Sequence, residues 1–183
     1  TAFQNDASAP VSLAIKMNGM DACPEDYQTF LDSDAVRDPR VILLDRVMND
    51  QEIKELVRLC DGFLSLHRSE GFGRGLAEAM YFAKPVIATG YSGNLDFMNQ
   101  ENSCLVDCTL IPVGANEYPY GAGQRWAEPD VEQAAWHLRR LVMEPAHAVE
   151  IGQRAAHYIQ TYHSFAAVGT RQRRRFGQGG LVD

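Results

Sequence analysis

Apolar residues in this chain fall into two alternating patterns, short continuous runs and stripes at helical spacing. Val11 to Met17 is continuous enough to predict a strand inside a parallel sheet. Pro24 to Val36 has helical spacing at Tyr27, Phe30 and Leu31. Arg40 to Asp45 reads as a second strand, with Val41-Ile42-Leu43-Leu44 expected to be buried on both faces. Asn49 or Asp50 is placed to cap a helix reaching Cys60, whose stripe is Ile53, Leu56, Val57 and Cys60. Gly62 to Leu66 predicts a third strand. From about Arg74 the pattern is helical, with Leu76, Ala79, Met80 and Ala83 on one face and Pro85 as the stop. Pro85 to Thr89 and Cys104 to Asp107 read as the fourth and fifth strands. This alternation predicts an α/β fold, a Rossmann-like parallel sheet with right-handed crossovers and flanking helices.

The pattern then breaks. Thr109 to Pro129 is rich in proline, glycine and aromatics, and predicts a loop without regular structure, packed over the sheet edge. Helices are expected again over Asp130 to Met143 and from Pro145 to about Gln160. Phe165 to Phe176 carries Arg171, Arg173, Arg174 and Arg175, which by default is a solvated helix face. The expected organisation is one domain over residues 1–164, its N-terminal edge cut short, then a basic helix and flexible tail over 165–183, with 177–183 without fixed structure.

Composition narrows the classes. The 183 residues are 45% apolar, enough for a real core and better suited to one domain than two. A net charge of −7 argues against a nucleic-acid binder. No apolar run is long enough to span a bilayer and no signal-peptide pattern opens the chain, so a cytoplasmic location is expected. The chain begins at Thr1 rather than methionine, as a piece of a longer protein would. Its four cysteines, Cys23, Cys60, Cys104 and Cys108, are expected to be buried free thiols.

The chemistry concentrates in Ser65 to Met80. Strand, glycine turn (Glu70-Gly71-Phe72-Gly73) and helix start together expose unpaired backbone N–H groups where the helix dipole is positive, a place suited to phosphate. Glu78 sits among Leu76, Ala77, Ala79 and Met80, where a carboxylate is costly without a hydrogen-bonding partner. Ribose hydroxyls would be such a partner. The plainer reading pairs Glu78 with Arg74 one turn earlier and gives Glu70 a helix-start role.

Seven residues separate Glu70 from Glu78, Glu-Gly-Phe-Gly opens the interval, and Glu78-Ala79-Met80 leads on to Ala83-Lys84-Pro85-Val86-Ile87-Ala88-Thr89. This resembles the E-x7-E motif in the donor-binding half of group 1 (family 4) GT-B glycosyltransferases, over roughly Val11 to Arg175. The resemblance implies one half of a GT-B fold, in a retaining, metal-independent enzyme that moves a hexose from a nucleotide sugar to a glycan or lipid-linked acceptor in polysaccharide or glycoconjugate synthesis. It gives Glu78 the ribose hydroxyls, Glu70 the donor sugar, and the amides of Gly71, Phe72 and Gly73 the sugar or phosphates. The resemblance further implies that the loop around Val47 holds the base, with Arg46 beside it. Asp96 matches a position usually occupied by glutamate. No metal or other cofactor is implied beyond the nucleotide-sugar substrate.

Three cations and a histidine are less determined. Arg74 pairs either with phosphate or with Glu78, Arg68 is read as a surface ion pair, and Lys16 is expected to act electrostatically on the diphosphate. His67 either faces the sugar or its acid–base chemistry, or is a hydrogen-bonded, partly buried side chain. Relatives carry an Arg/Lys pair that would lie before Thr1, and an N-terminal acceptor-binding domain outside this chain. The isolated domain is therefore expected to be inactive, with peripheral contact at the inner membrane face left to the full-length protein. Alternatives are a non-catalytic nucleotide- or sugar-binding module on the same half-fold, or another GT-B enzyme such as an epimerase or phosphorylase.

Overall fold

Two parallel sheets and one antiparallel pair organise the chain, whose computed structural model describes residues 2, 3, 6, 8–115 and 117–178. Of the tail expected to lack fixed structure over 177–183, residues 177 and 178 are helical, and 179–183 lie outside the described residues. The chain divides into two units, Phe3–Ile53 and Lys54–Asp183 with Thr1–Ala2.

In the first unit β1 (Leu13–Met17) and β2 (Val41–Asp45) pair in parallel, Leu13 opposite Val41 and Met17 opposite Asp45. Among the described residues they pair only with each other, so the five strands expected in one sheet are divided between two. Burial of β2 on both faces also fails, since Ile42 is 49% exposed. An apolar run shows that a strand is present, not how many of its faces are covered. The expected helix from Pro24 is two pieces, α1 (Pro24–Leu31) and α2 (Asp34–Arg37). Ser33 separates them with extended dihedrals, its hydroxyl donating to the Phe30 carbonyl (2.6 Å) in competition with the helical ladder. Helix α3 (Asp50–Leu59) opens with a capping box. The Glu52 N–H donates to Asn49 Oδ1 (3.0 Å) and the Asn49 N–H to Glu52 Oε2 (2.8 Å).

In the second unit β3 (Phe63–Ser65), β4 (Val86–Thr89) and β5 (Cys104–Val106) form a parallel sheet in that order. Strand β4 is buried throughout. Val86 and Ala88 enter one core cluster with Leu76, Met80, Phe97 and Ala155, while Ile87 enters another with Val106, Ala134 and Ile151. That alternation is the two-residue period of a strand covered on both faces. The covering helices are α4 (Arg74–Tyr81), α5 (Val131–Met143) and α6 (Pro145–Tyr162), followed by α7 (Phe165–Gln178). Asp130 caps α5 by accepting from the Gln133 N–H (2.9 Å). Among the described residues no helix is long and apolar enough to cross a membrane.

The segment over 109–129 is not the irregular loop expected. Strands β6 (Cys108–Pro112) and β7 (Arg125–Pro129) pair antiparallel, Leu110 opposite Ala127. All four cysteines are free, but of the four thiols expected to be buried only Cys104 is; Cys23 is exposed, and Cys60 and Cys108 are partly buried. Burial pushes the Cys104 thiol up to about 11.

Helix α4 ends before the expected stop. The Lys84 N–H donates to the Ala79 carbonyl (3.0 Å) and the Ala83 N–H to the Met80 carbonyl (2.9 Å), a Schellman arrangement whose left-handed residue is Ala83 at φ 57°. Glycine is the usual occupant there, because an L side chain is strained in that region. Ala83→Gly is expected to stabilise the protein by about 0.5–1 kcal/mol, raising the melting temperature by roughly 1–4 °C in a thermal unfolding scan. A lower melting temperature would contradict this account of the helix end.

Candidate functional site

Strand β3 delivers the chain to its C-terminal edge, and the next eight residues turn back into α4. Gly73 makes the turn possible. It is the N-cap of α4 at φ 95°, and a Cβ there would stand 2.9 Å from Leu76 Cδ1 and 3.2 Å from Phe97 Cζ. No side chain caps the helix. Among the described residues nothing accepts a hydrogen bond from the main-chain N–H of Gly71, Phe72 or Gly73. The first N–H groups of a helix add further donors to that set. Gly71 and Phe72 are exposed, so the turn is open on its outer side.

The loop after β4 holds the turn from behind. The Glu70 N–H donates to Ser92 Oγ (3.3 Å), and the Ser92 hydroxyl donates back to the Glu70 carbonyl (2.7 Å). That carbonyl also accepts from the Gly93 N–H (3.0 Å). A Cβ on Gly93 would lie 2.1 Å from the Gly71 carbonyl oxygen, so the two backbones are in direct contact. The phenyl ring of Phe72 rests on Phe97 with centroids 5.0 Å apart, and His163 completes the cluster 5.9 Å from Phe97. Burial lowers the His163 pKa, helped by the Arg171 charge and opposed by Asp96.

The two glutamates differ in setting. Glu78 lies one turn into α4, its carboxylate 3.4 Å from Arg74 Nε. Its side chain is 27% exposed and that of Arg74 is 83% exposed, so the pair is a loose surface contact on one side of a reachable carboxylate. Glu70 is half-buried, and its carboxylate has no hydrogen-bond or ion-pair partner among the described residues.

His67 is fully engaged. Its Nε2 lies 3.1 Å from the Tyr91 carbonyl and 3.2 Å from Asn94 Oδ1, both acceptors, so Nε2 carries the proton. Nδ1 then accepts from the Ser65 hydroxyl at 3.2 Å. Of its two expected readings, this geometry matches the hydrogen-bonded, partly buried one. Asn94 is fully buried and donates to the Thr89 carbonyl (3.0 Å), which extends the brace to the end of β4. Arg68 pairs with Glu128 (2.7 Å) and lies over the Trp126 ring, tying the β3 exit to β7.

Lys16, Arg46 and Val47 belong to the first unit. The Lys16 ammonium donates to the Met17 carbonyl and Asn18 Oδ1, Arg46 pairs with Glu52 (2.7 Å), and Val47 is exposed. Sequence reasoning singled out the turn but not Ser92, Gly93 and Asn94, which hold it. Their signal is the Ser-Gly-Asn run just past the end of the fourth strand.

Residues 37–117 match the family model "Glycosyl transferases group 1". No curated protein matches the chain. Among solved structures, Anabaena HepE in complex with UDP and glucose aligns over 96% of this chain at 20% identity and a TM-score of 0.65. The C-terminal domain of LpcC, a group 1 family protein of Francisella tularensis, aligns over 77% of this chain and 64% of its own, at 20% identity and a TM-score of 0.58. A GtfA/B complex aligns over 97% of this chain and 32% of its own, with TM-score 0.66 and 20% identity. This chain spans 42% of the HepE chain, less than half its length. The chain is thus similar to the group 1 glycosyltransferases, in sequence over residues 37–117 and in fold, that of GT-B enzymes, over nearly its whole described length.

Proposed function

We propose that this chain is the nucleotide-sugar-binding part of a retaining hexosyltransferase, one that builds a polysaccharide or glycoconjugate by transfer to a glycan or lipid-linked acceptor. One observation carries the reading. Among the described residues the main-chain N–H groups of Gly71, Phe72 and Gly73 have no acceptor at the start of α4, and the half-buried Glu78 carboxylate stands one turn further on. A diphosphate satisfies the first set and ribose hydroxyls the second, so one ligand satisfies both.

In this reading the amides of the turn and Arg74 meet the charge that develops on the leaving diphosphate, without a divalent ion. Donors already fixed in place need no reorganisation as that charge appears. Glu70 faces the donor sugar, and His67 keeps the β3 and β4 exits in register. An N-terminal domain outside this chain supplies the acceptor, and the whole enzyme works in the cytoplasm, at the inner face of the membrane.

HepE is described as bound to UDP, which makes UDP the first nucleotide to try. Saturable binding is expected in calorimetry, and Glu78→Ala should weaken it by about 10- to 100-fold, the effect of losing a charge-assisted pair of hydrogen bonds. Absence of binding by UDP, GDP and ADP alike would sink the proposal.

A further inference from the structure

Ser92 has a backbone conformation that a serine rarely adopts, φ 83° and ψ −151°. Glycine would sit there without strain, so a serine in this place needs a compensating interaction. Its hydroxyl provides one, bonded to both the N–H and the carbonyl of Glu70, 22 residues away in sequence. Those are the last main-chain groups before the free amides of the turn.

We propose that Ser92 is a positioning residue of the nucleotide site, acting through the Glu70 backbone rather than by touching the ligand. This rests on the donor reading above. By occupying both polar groups of Glu70, the hydroxyl fixes the peptide that precedes Gly71. The direction of the Gly71, Phe72 and Gly73 N–H groups is thereby set before any ligand arrives, and preorganised donors bind more tightly than mobile ones. The Gly93 N–H supports the same carbonyl, but among the described residues only Ser92 also holds the Glu70 N–H.

Two variants separate this role from plain stability. Ser92→Gly removes the hydroxyl and relieves the strained φ, while Ser92→Ala removes the hydroxyl and keeps the strain. Each is titrated with UDP, GDP and ADP by calorimetry on the 183-residue chain, alongside a thermal scan and amide exchange. Both variants should bind about tenfold more weakly than the parent chain. Ser92→Gly should melt no lower than the parent, because strain relief offsets the lost bonds. The Glu70 amide should exchange faster in both while β4 amides keep their protection. Binding within about twofold of the parent, or an unchanged Glu70 exchange rate, overturns the proposal. Affinity lost only in proportion to the unfolded fraction overturns it too. A parent chain that binds none of the three nucleotides is a different result, the failure of the donor reading itself.

Discussion

Gly93→Ala should remove nucleotide binding and destabilise the protein by about 3 kcal/mol, at the upper end of what overpacking a well-filled site costs. The new methyl would stand 2.1 Å from the Gly71 carbonyl oxygen and 2.6 Å from its carbon. Both are backbone atoms, so no rotamer change can make room. The Glu70–Gly71 peptide must move, and it is the peptide that aims the free amides. Moving it also lengthens the bonds that the Glu70 carbonyl accepts from Ser92 and Gly93. Stability and affinity should therefore fall together here, whereas Glu78→Ala should cost affinity alone. Calorimetry and denaturant unfolding on the two variants check that contrast. A Gly93→Ala protein that binds UDP as well as its parent would show that the turn's position does not matter to the ligand.

Much of this site was legible before any coordinates. A run of apolar residues, a glycine turn and a helical stripe are local signals, and each needs only neighbouring residues to be read. The same locality explains the Asn49–Glu52 cap and the start of α5 at Asp130. What stayed hidden depends on residues far apart in sequence. Nothing in Gly90-Tyr91-Ser92-Gly93 announces that Ser92 will bond Glu70, or that Gly93 will touch Gly71. The β6–β7 pair was missed for a related reason. Its strands break up their apolar residues with Thr, Pro, Arg and Glu, so that neither holds an apolar run longer than Leu110-Ile111 or Trp126-Ala127, and 12 residues of Pro- and Gly-containing chain separate them. Their pairing is set by contacts such as the Ala127 N–H donating to the Arg68 carbonyl (2.9 Å), which composition does not encode. His67 shows the limit in one residue. Its place beside the motif was visible, but its three hydrogen-bond partners decide its role, and two of them lie 24 or more residues away.

Gly152→Ala tests the packing alone, and its sign is the informative part. Within a helix, replacing glycine by alanine normally stabilises by about 1 kcal/mol. Gly152 lies inside α6 and should follow that rule if propensity decided. Its Cβ, however, would stand 2.1 Å from the Ala83 carbonyl oxygen and 2.9 Å from the Ala83 carbon, where the end of α4 meets α6. The clash is again with backbone, and the neighbouring core residues Ala155 and Ile159 are buried, so α6 cannot shift without opening that layer. A net loss of about 2 kcal/mol is expected, a fall in melting temperature of roughly 4–8 °C. Gly169 in α7 is the control, because nothing lies within 4 Å of its would-be Cβ. Gly169→Ala should leave the melting temperature unchanged or slightly higher. Should Gly152→Ala instead melt at or above the parent, the close approach of α6 to the Schellman turn is not a feature of the folded protein.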